Sequence, residues 1–296
     1  MLTKIIYIME KETDFARHLT FFLSDYLLKE RGVSRHTLRS YAYTFDLMLD
    51  YMHDVKKIPA ERIELKHLTR DCVTEFLDWL QSERKCTDNT RNARLAAIHA
   101  FCKYLQYEDI KRIGFWQQIM TIKSKHKASG TISSLSIVAM KTLLLEIPAE
   151  TMQGRRHLAI LSLLYESGAR VQELIDLTPS DLSLEPPAYV TLFGKGRKTR
   201  IVPLQERLVT IMRQYLSEHK LDLPGREKNH LFYNNRGAKL SNSGIAHIIT
   251  LYANDVRVKH PGLLPDKISP HSFRHSKAMH LLQAGLNLIY IRDILG

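Results

Sequence analysis

The sequence predicts a mainly α protein in two parts, an all-helical bundle followed by a mostly helical α+β domain that carries a small β-hairpin. Three observations lead there. The chain has 296 residues, which at roughly 100–200 residues per domain leaves room for about two cores. From Phe15 to about Arg112, apolar residues return every three or four positions, the period of a helix with one buried face. Further on, two β-type runs, Tyr189-Val-Thr-Leu-Phe and Arg200-Ile-Val-Pro-Leu, flank a basic turn, Gly194-Lys-Gly-Arg-Lys-Thr. Such a pattern reads as a hairpin.

The elements follow in order. Leu19, Phe22, Leu23, Tyr26 and Leu27 form one apolar stripe, and Leu38, Tyr41, Phe45 and Met48 a second; Gly32 and Ser34 separate them, with Ser34 placed as an N-cap. Val73, Phe76, Leu77 and Leu80 make a third face, and Ala93, Ile98, Phe101, Cys102 and Leu105 a fourth, with Thr87 or Asp88 as its cap. This bundle of about four helices is assigned to residues 1–113. Periodicity weakens after Gly114, and Lys123-Ser-Lys-His-Lys-Ala-Ser-Gly-Thr is basic, small and polar, so 114–134 reads as an interdomain linker. It suits either a solvated loop or a segment laid along a phosphate backbone. The second domain, 135–296, opens with helices at Ser136–Leu145 and Arg155–Glu166, the latter apolar enough to be a core helix. After the hairpin, helical patterns resume from Gln205, around Gly244–Ala253, and from Ser269 onward.

Composition narrows the function. Lys and Arg number 43 against 31 Asp and Glu, a formal net charge of +12. An excess of that size favours a polyanionic partner, nucleic acid first. Hydrophobic residues at 44% and charged residues at 25% fit a folded globular chain and argue against disorder or a fibre. Cys72, Cys86 and Cys102 form no C-x-x-C pair and are odd in number, which argues against a disulfide framework. No run of 18 apolar residues occurs, and Glu10 and Glu12 interrupt the only N-terminal apolar stretch, so neither a membrane span nor a secretory signal is expected. The expected location is cytoplasmic.

Four basic groups occupy distinctive places. Arg170 follows the apolar core helix in Ser167-Gly-Ala-Arg-Val-Gln-Glu-Leu, where Gly168 breaks one helix before the next begins. Lys195 stands at the hairpin tip. His271 and Arg274 lie three apart in Ser269-Pro-His-Ser-Phe-Arg-His, where an N-cap serine and a first-turn proline put both on one face near a helix N-terminus, a place that favours anions. Two arginines, a lysine and a histidine brought together would hold a phosphate through its non-bridging oxygens.

These motifs, in this order, resemble those of the tyrosine recombinase (phage-type integrase) family, in particular its Xer-like branch. Gly168-Ala-Arg170-x-x-Glu173-Leu resembles the first arginine motif, Gly194-Lys195-Gly-Arg-Lys-Thr-Arg the catalytic-lysine hairpin, and His271-x-x-Arg274-His275 the histidine and second-arginine box. Val33-Ser-Arg-His-Thr-Leu-Arg-Ser-Tyr and Thr90-Arg-Asn-Ala-Arg-Leu-Ala-Ala-Ile resemble the family's helical, SAM-like core-binding domain. The resemblance runs from about Phe15 to Gly296.

It implies site-specific DNA cleavage and rejoining, in integration, excision, transposition or dimer resolution. A tyrosine phenol attacks a phosphodiester to give a 3′-phosphotyrosyl link and a free 5′-hydroxyl, without cofactor or metal. Arg170 and Arg274 would clamp the phosphate, Lys195 would protonate the leaving oxygen, His271 would assist proton transfer, and Glu173 and His275 would support them. Double-stranded DNA with inverted-repeat-like half-sites is the implied partner, bound by a dimer per site and a tetramer in the synapse, with both domains closing as a clamp. The candidates for DNA contact are Arg35, Arg39, Arg91, Arg94, Lys125, Arg197 and Lys198, Arg91 and Arg94 being read as lying opposite their helix's apolar face.

The family pattern also asks for a histidine or tryptophan after Ile291-Arg-Asp-Ile-Leu-Gly296 and, further on, the nucleophilic tyrosine. The nucleophile is therefore expected beyond Gly296, and the chain is expected to bind DNA without cleaving it. Tyr290 is read as a core or interface residue inside the run Leu288, Ile289, Ile291, Ile294. A non-catalytic DNA-binding regulator with the same fold is the alternative. A zinc hydrolase, suggested by 14 histidines and the i, i+4 pair His271 and His275, is disfavoured by the absence of H-E-x-x-H and by the cation at Arg274 between them.

Overall fold

The chain divides into two compact units, Met1–Gly130 and Thr131–Gly296; the structure, a computed structural model, describes residues 12–125, 134–194, 198–234 and 236–296. In the first unit the Thr13 hydroxyl accepts from the N–H of Ala16 and starts α1 (Asp14–Phe21), which continues as wider π-type turns over Phe22–Glu30. The Ser34 hydroxyl accepts from the N–H of Thr37 at 3.1 Å and opens α2 (Arg35–Asp54). Thr69 and Thr87 cap α3 (Arg70–Ser82) and α4 (Asp88–Glu108) in the same way. Each cap satisfies one of the N–H groups a helix start leaves unpaired. Helix α4 lies at the centre, with α2, α3 and α5 (Ile113–Met120) packed on it. Phe22 and Phe45 meet Phe101 at ring separations of 5.1 and 5.2 Å in the middle of this core.

Two expectations are corrected here. The stretch after Gly114 was expected to be linker, yet Trp116 and Ile119 are fully buried and Ile122 joins them, so this segment is core. A two-turn helix shows too few apolar positions for its period to register. Arg91 and Arg94 do not stand on a solvated face. Arg91 is only 5% exposed and its guanidinium donates to the Lys123 carbonyl, while Arg94 donates to the Ser40 carbonyl at 3.0 Å and lies over the Tyr43 ring. Asn92 accepts from the Lys125 N–H and donates to the Lys125 carbonyl, both at 2.9 Å. Residues 123–125 are thus fastened to α4. The remainder of the basic run, 126–131, lies outside the described residues. Cys72, Cys86 and Cys102 are free thiols, the first and last buried.

In the second unit Ser136 caps α6 (Ile137–Leu145), and the core helix α7 (Met152–Ser167) buries Ile160, Leu161, Leu163 and Leu164 completely. A short helix, α8 (Val171–Asp176), follows. Strands β1 (Leu182–Ser183), β2 (Tyr189–Phe193) and β3 (Thr199–Pro203) form an antiparallel sheet in the order β1-β2-β3, with Tyr189 opposite Pro203 and Phe193 opposite Thr199. The hairpin is the expected one. Then come α9 (Glu206–Glu218), α10 (Asn242–Lys259), α11 (Pro270–Gln283) and α12 (Leu288–Leu295). Helices α9 and α11 pack on α7, and α12 packs on α11 and β3.

Buried polar groups tie α11 to the start of this unit. Leu135 donates its N–H to the Ser276 hydroxyl at 2.8 Å and accepts at its carbonyl from His280 Nε2 at 2.9 Å. His280 Nδ1 then accepts from the Tyr165 hydroxyl at 2.8 Å, a pairing that requires the neutral ring. Burial holds His280 below its ordinary pKa, which keeps it neutral. Among the described residues no helix is long and apolar enough to cross a membrane.

If residues 113–122 belong to the first core, Trp116→Ala destabilises the protein by about 3–5 kcal/mol in urea unfolding. A loss within about 0.5 kcal/mol is the behaviour of a solvated surface position and would return the segment to the linker.

Candidate active site

Helix α7 ends at Gly168, whose φ of +56° lies in the left-handed region that favours glycine. A Cβ there would also stand 2.5 Å from Leu295 Cδ2, so the same glycine admits the end of α12. The turn delivers Arg170 to the N-cap position of α8, and Glu173, one turn on, folds back beneath it. Glu173 is buried. Its Oε2 accepts from the Arg170 backbone N–H at 2.9 Å and from Arg200 Nη2 at 2.6 Å; its Oε1 accepts from Arg170 Nη1 at 2.9 Å and Arg200 Nη1 at 3.2 Å. Burial alone would raise this carboxyl, but Arg200 and then Arg170 outweigh it, and Glu173 stays below the ordinary carboxylate pKa.

Arg274 reaches the same place from α11. Its Nη1 donates to the Gly168 carbonyl at 2.7 Å, and its Nη2 donates to the Gly296 carbonyl oxygen at 3.1 Å. Arg170 Nη2 donates to that same oxygen at 2.8 Å. The two arginines therefore converge on one oxygen atom, the arrangement that a phosphate oxygen would need. Burial and the like charges of Arg170 and Arg200 push the Arg274 guanidinium down to about 10, which leaves it cationic at neutral pH.

His271 is exposed in the first turn of α11, and its ring centre lies 6.3 Å from that of His275. The N-terminus it occupies is closed by a capping box between Ser269 and Ser272, with Pro270 in the first turn, as the sequence suggested. Lys195 and Arg197 lie outside the described residues. The hairpin that carries them closes with the Gly194 N–H donating to the Lys198 carbonyl at 2.8 Å. Lys198 is exposed on the rim of a cleft of about 750 Å³ lined by Arg170, Gly194, Arg200 and Ile294 among others. In the first unit, Arg35, Arg39 and Lys125 are exposed.

Tyr290 is 66% exposed at the cleft rim, not in the core. It precedes Gly296 by six residues, about 9 Å of helix, and helical side chains lean toward the N-terminus. Tyr290 lines the same cleft as Arg170 and Gly296.

Arg200 is the site residue that the sequence reading passed over. Its identity in the second β run was visible, but its partner, Glu173, is 27 residues earlier and only the fold brings them together.

Residues 139–296 match the phage integrase family, and residues 22–109 match the phage integrase N-terminal SAM-like domain. The chain belongs to the phage integrase family. Among its relatives, tyrosine recombinase XerD of Oceanobacillus iheyensis is 33% identical, over 92% of this chain and 86% of the relative. Tyrosine recombinase XerC of Thermodesulfovibrio yellowstonii is 32% identical, over 94% and 87%. The protein is thus a tyrosine recombinase homologue, an enzyme of the site-specific recombinase class. Solved structures share the fold at lower identity. The Tn1549 transposon integrase in complex with transposon right end DNA superposes with a TM-score of 0.70 at 17% identity, over 92% of this chain and 89% of that one. XerH recombinase bound to its difH substrate gives 0.65 at 20%, over 88% and 73%.

A buried carboxylate with a lowered pKa stabilises the recombinase above its unfolded value, about 4.3 for glutamate, and the contribution is lost as pH falls through the folded value. The advantage of wild type over Glu173→Gln in urea unfolding, expected at about 1–3 kcal/mol near neutral pH, therefore shrinks below pH 4.3 and is flat above it. An advantage that grows toward acid would mean that Glu173 is raised rather than lowered.

Proposed function

We propose that this recombinase cuts and rejoins double-stranded DNA through a 3′-phosphotyrosyl intermediate, with Arg170 and Arg274 holding the scissile phosphate. The observation that supports this most is their convergence on a single oxygen at 2.8 and 3.1 Å. Guanidinium forks fixed before the substrate arrives stabilise charge as it builds in the phosphoryl transition state. His271, on the same helix face as Arg274, assists proton transfer, with His275 one turn behind it. Lys195 protonates the leaving 5′-oxygen, by analogy with the family's hairpin lysine. By analogy with the order of the family's motifs, the attacking tyrosine is assigned C-terminal to Gly296. Neither a metal nor an organic cofactor takes part in this scheme.

The fold-level neighbours include recombinases described as bound to DNA, and the net charge of +12 suits that partner. Arg35 and Arg39 at the start of α2, Lys125, Arg197 and Lys198 are the proposed contacts. Arg91 and Arg94 leave the set because their guanidiniums are committed to backbone carbonyls within their own unit. The reading includes inverted-repeat-like half-sites with a dimer on each site and a tetramer in the synapse.

The test is a covalent-adduct assay on a nicked duplex carrying the site that the protein selects from a random library, run on a denaturing gel with the protein extended through its native C-terminus. Arg170→Ala and Arg274→Ala each lower adduct formation by about 100-fold or more, while Tyr290→Phe leaves it at the wild-type rate. Wild-type rates for either arginine variant would contradict the assignment.

A further inference from the structure

We propose that Arg200 is a positioning residue whose work is to neutralise Glu173, so that Arg170 keeps a free guanidinium edge for the phosphate. The inference rests on the anion-site reading of Arg170 and Arg274 given above. Every nitrogen of the Arg200 guanidinium is already used: Nη1 and Nη2 donate to the two oxygens of Glu173, and Nε donates to the Ile294 carbonyl at 2.8 Å. Its side chain is only 9% exposed. Three of its five N–H groups, one on each nitrogen, are thus committed to the protein itself. Arg170 differs in giving only Nη1 to Glu173, while its Nη2 donates to the Gly296 carbonyl oxygen, the point it shares with Arg274.

The charges explain why two arginines serve one carboxylate. Glu173 holds Arg170 in place, but a lone carboxylate would also cancel the charge that Arg170 brings to the site. Three guanidiniums against one carboxylate leave two net positive charges. Without Arg200 one remains, and Glu173, buried beside Arg170, draws its fork inward. The strand end is shaped around this pair. A Cβ on Gly194 would stand 3.3 Å from Glu173 Oε1 and 3.5 Å from Arg200 Nη1, so glycine lets β2 close over the ion pair without pressing on it. The bond to Ile294 also joins the end of α12 to the same network.

Inorganic phosphate titrated into the full chain provides the test, read by the arginine Nε–Hε signals in NMR, with circular dichroism as the check on folding. In wild type the Arg170 and Arg274 signals shift saturably. Arg200→Ala weakens phosphate binding by about 10- to 100-fold, and Arg200→Lys, which keeps the charge but loses the fork, falls between. The double variant Glu173→Gln with Arg200→Gln removes both charges while keeping a side-chain oxygen at position 173 for Arg170, and recovers part of the binding lost in Arg200→Ala. A merely structural role would not be rescued by a second substitution in the same pair. If Arg200→Ala does not fold, the lysine and double variants carry the comparison. Wild-type binding with unchanged affinity in Arg200→Lys, or no recovery in the double variant, overturns the proposal alone. No response of Arg170 or Arg274 in wild type overturns the anion-site reading and this proposal with it.

Discussion

The site depends on one buried carboxylate. Glu173 accepts four hydrogen bonds, one from the Arg170 backbone N–H and three from the guanidiniums of Arg170 and Arg200. Through it α8 is joined to β3, and through Arg200 β3 is joined to the carbonyl of Ile294 at the end of α12. A carboxylate in that position would be costly if unpaired. Paired on both oxygens, it fixes where Arg170 points.

Gly168 is the complementary backbone device. Its left-handed conformation ends α7 and begins the approach to Arg170, its lack of a side chain admits Leu295, and its carbonyl holds Arg274. One residue thus places the first arginine and steadies the second. On the far side of α11, Leu135 is held by Ser276 and His280, so the helix that carries His271 and Arg274 is anchored along both of its ends. A phosphate site assembled from well-held cations needs little rearrangement when its charge arrives, which is how such sites gain their effect.

Much of this was legible in the sequence, and the limits have physical causes. The helices, their serine and threonine caps and the hairpin follow from spacing and local chemistry, which act over a few residues. Gly168 announced a break between helices for the same reason, and the motifs around Arg170 and Arg274 marked two cations that the fold brings together. Arg91 was misplaced because a charge on a helix is expected to face water, whereas here its partner is the Lys123 carbonyl, 32 residues away. Trp116 was assigned to a linker because a short helix leaves almost no periodic trace, although its side chain is fully buried. Arg200 was passed over because an arginine in an amphipathic strand carries no local mark of the carboxylate it will meet.

The most direct test of the account is a double-mutant cycle between Glu173 and Arg200, using Glu173→Gln, Arg200→Gln and the pair, measured by urea unfolding at neutral pH. Contact between two buried charges predicts a coupling of at least about 1.5 kcal/mol, the single losses overlapping because each variant strands the other partner. Losses that add to within about 0.5 kcal/mol would show that the two residues act independently, and the carboxylate could not then be what holds the site.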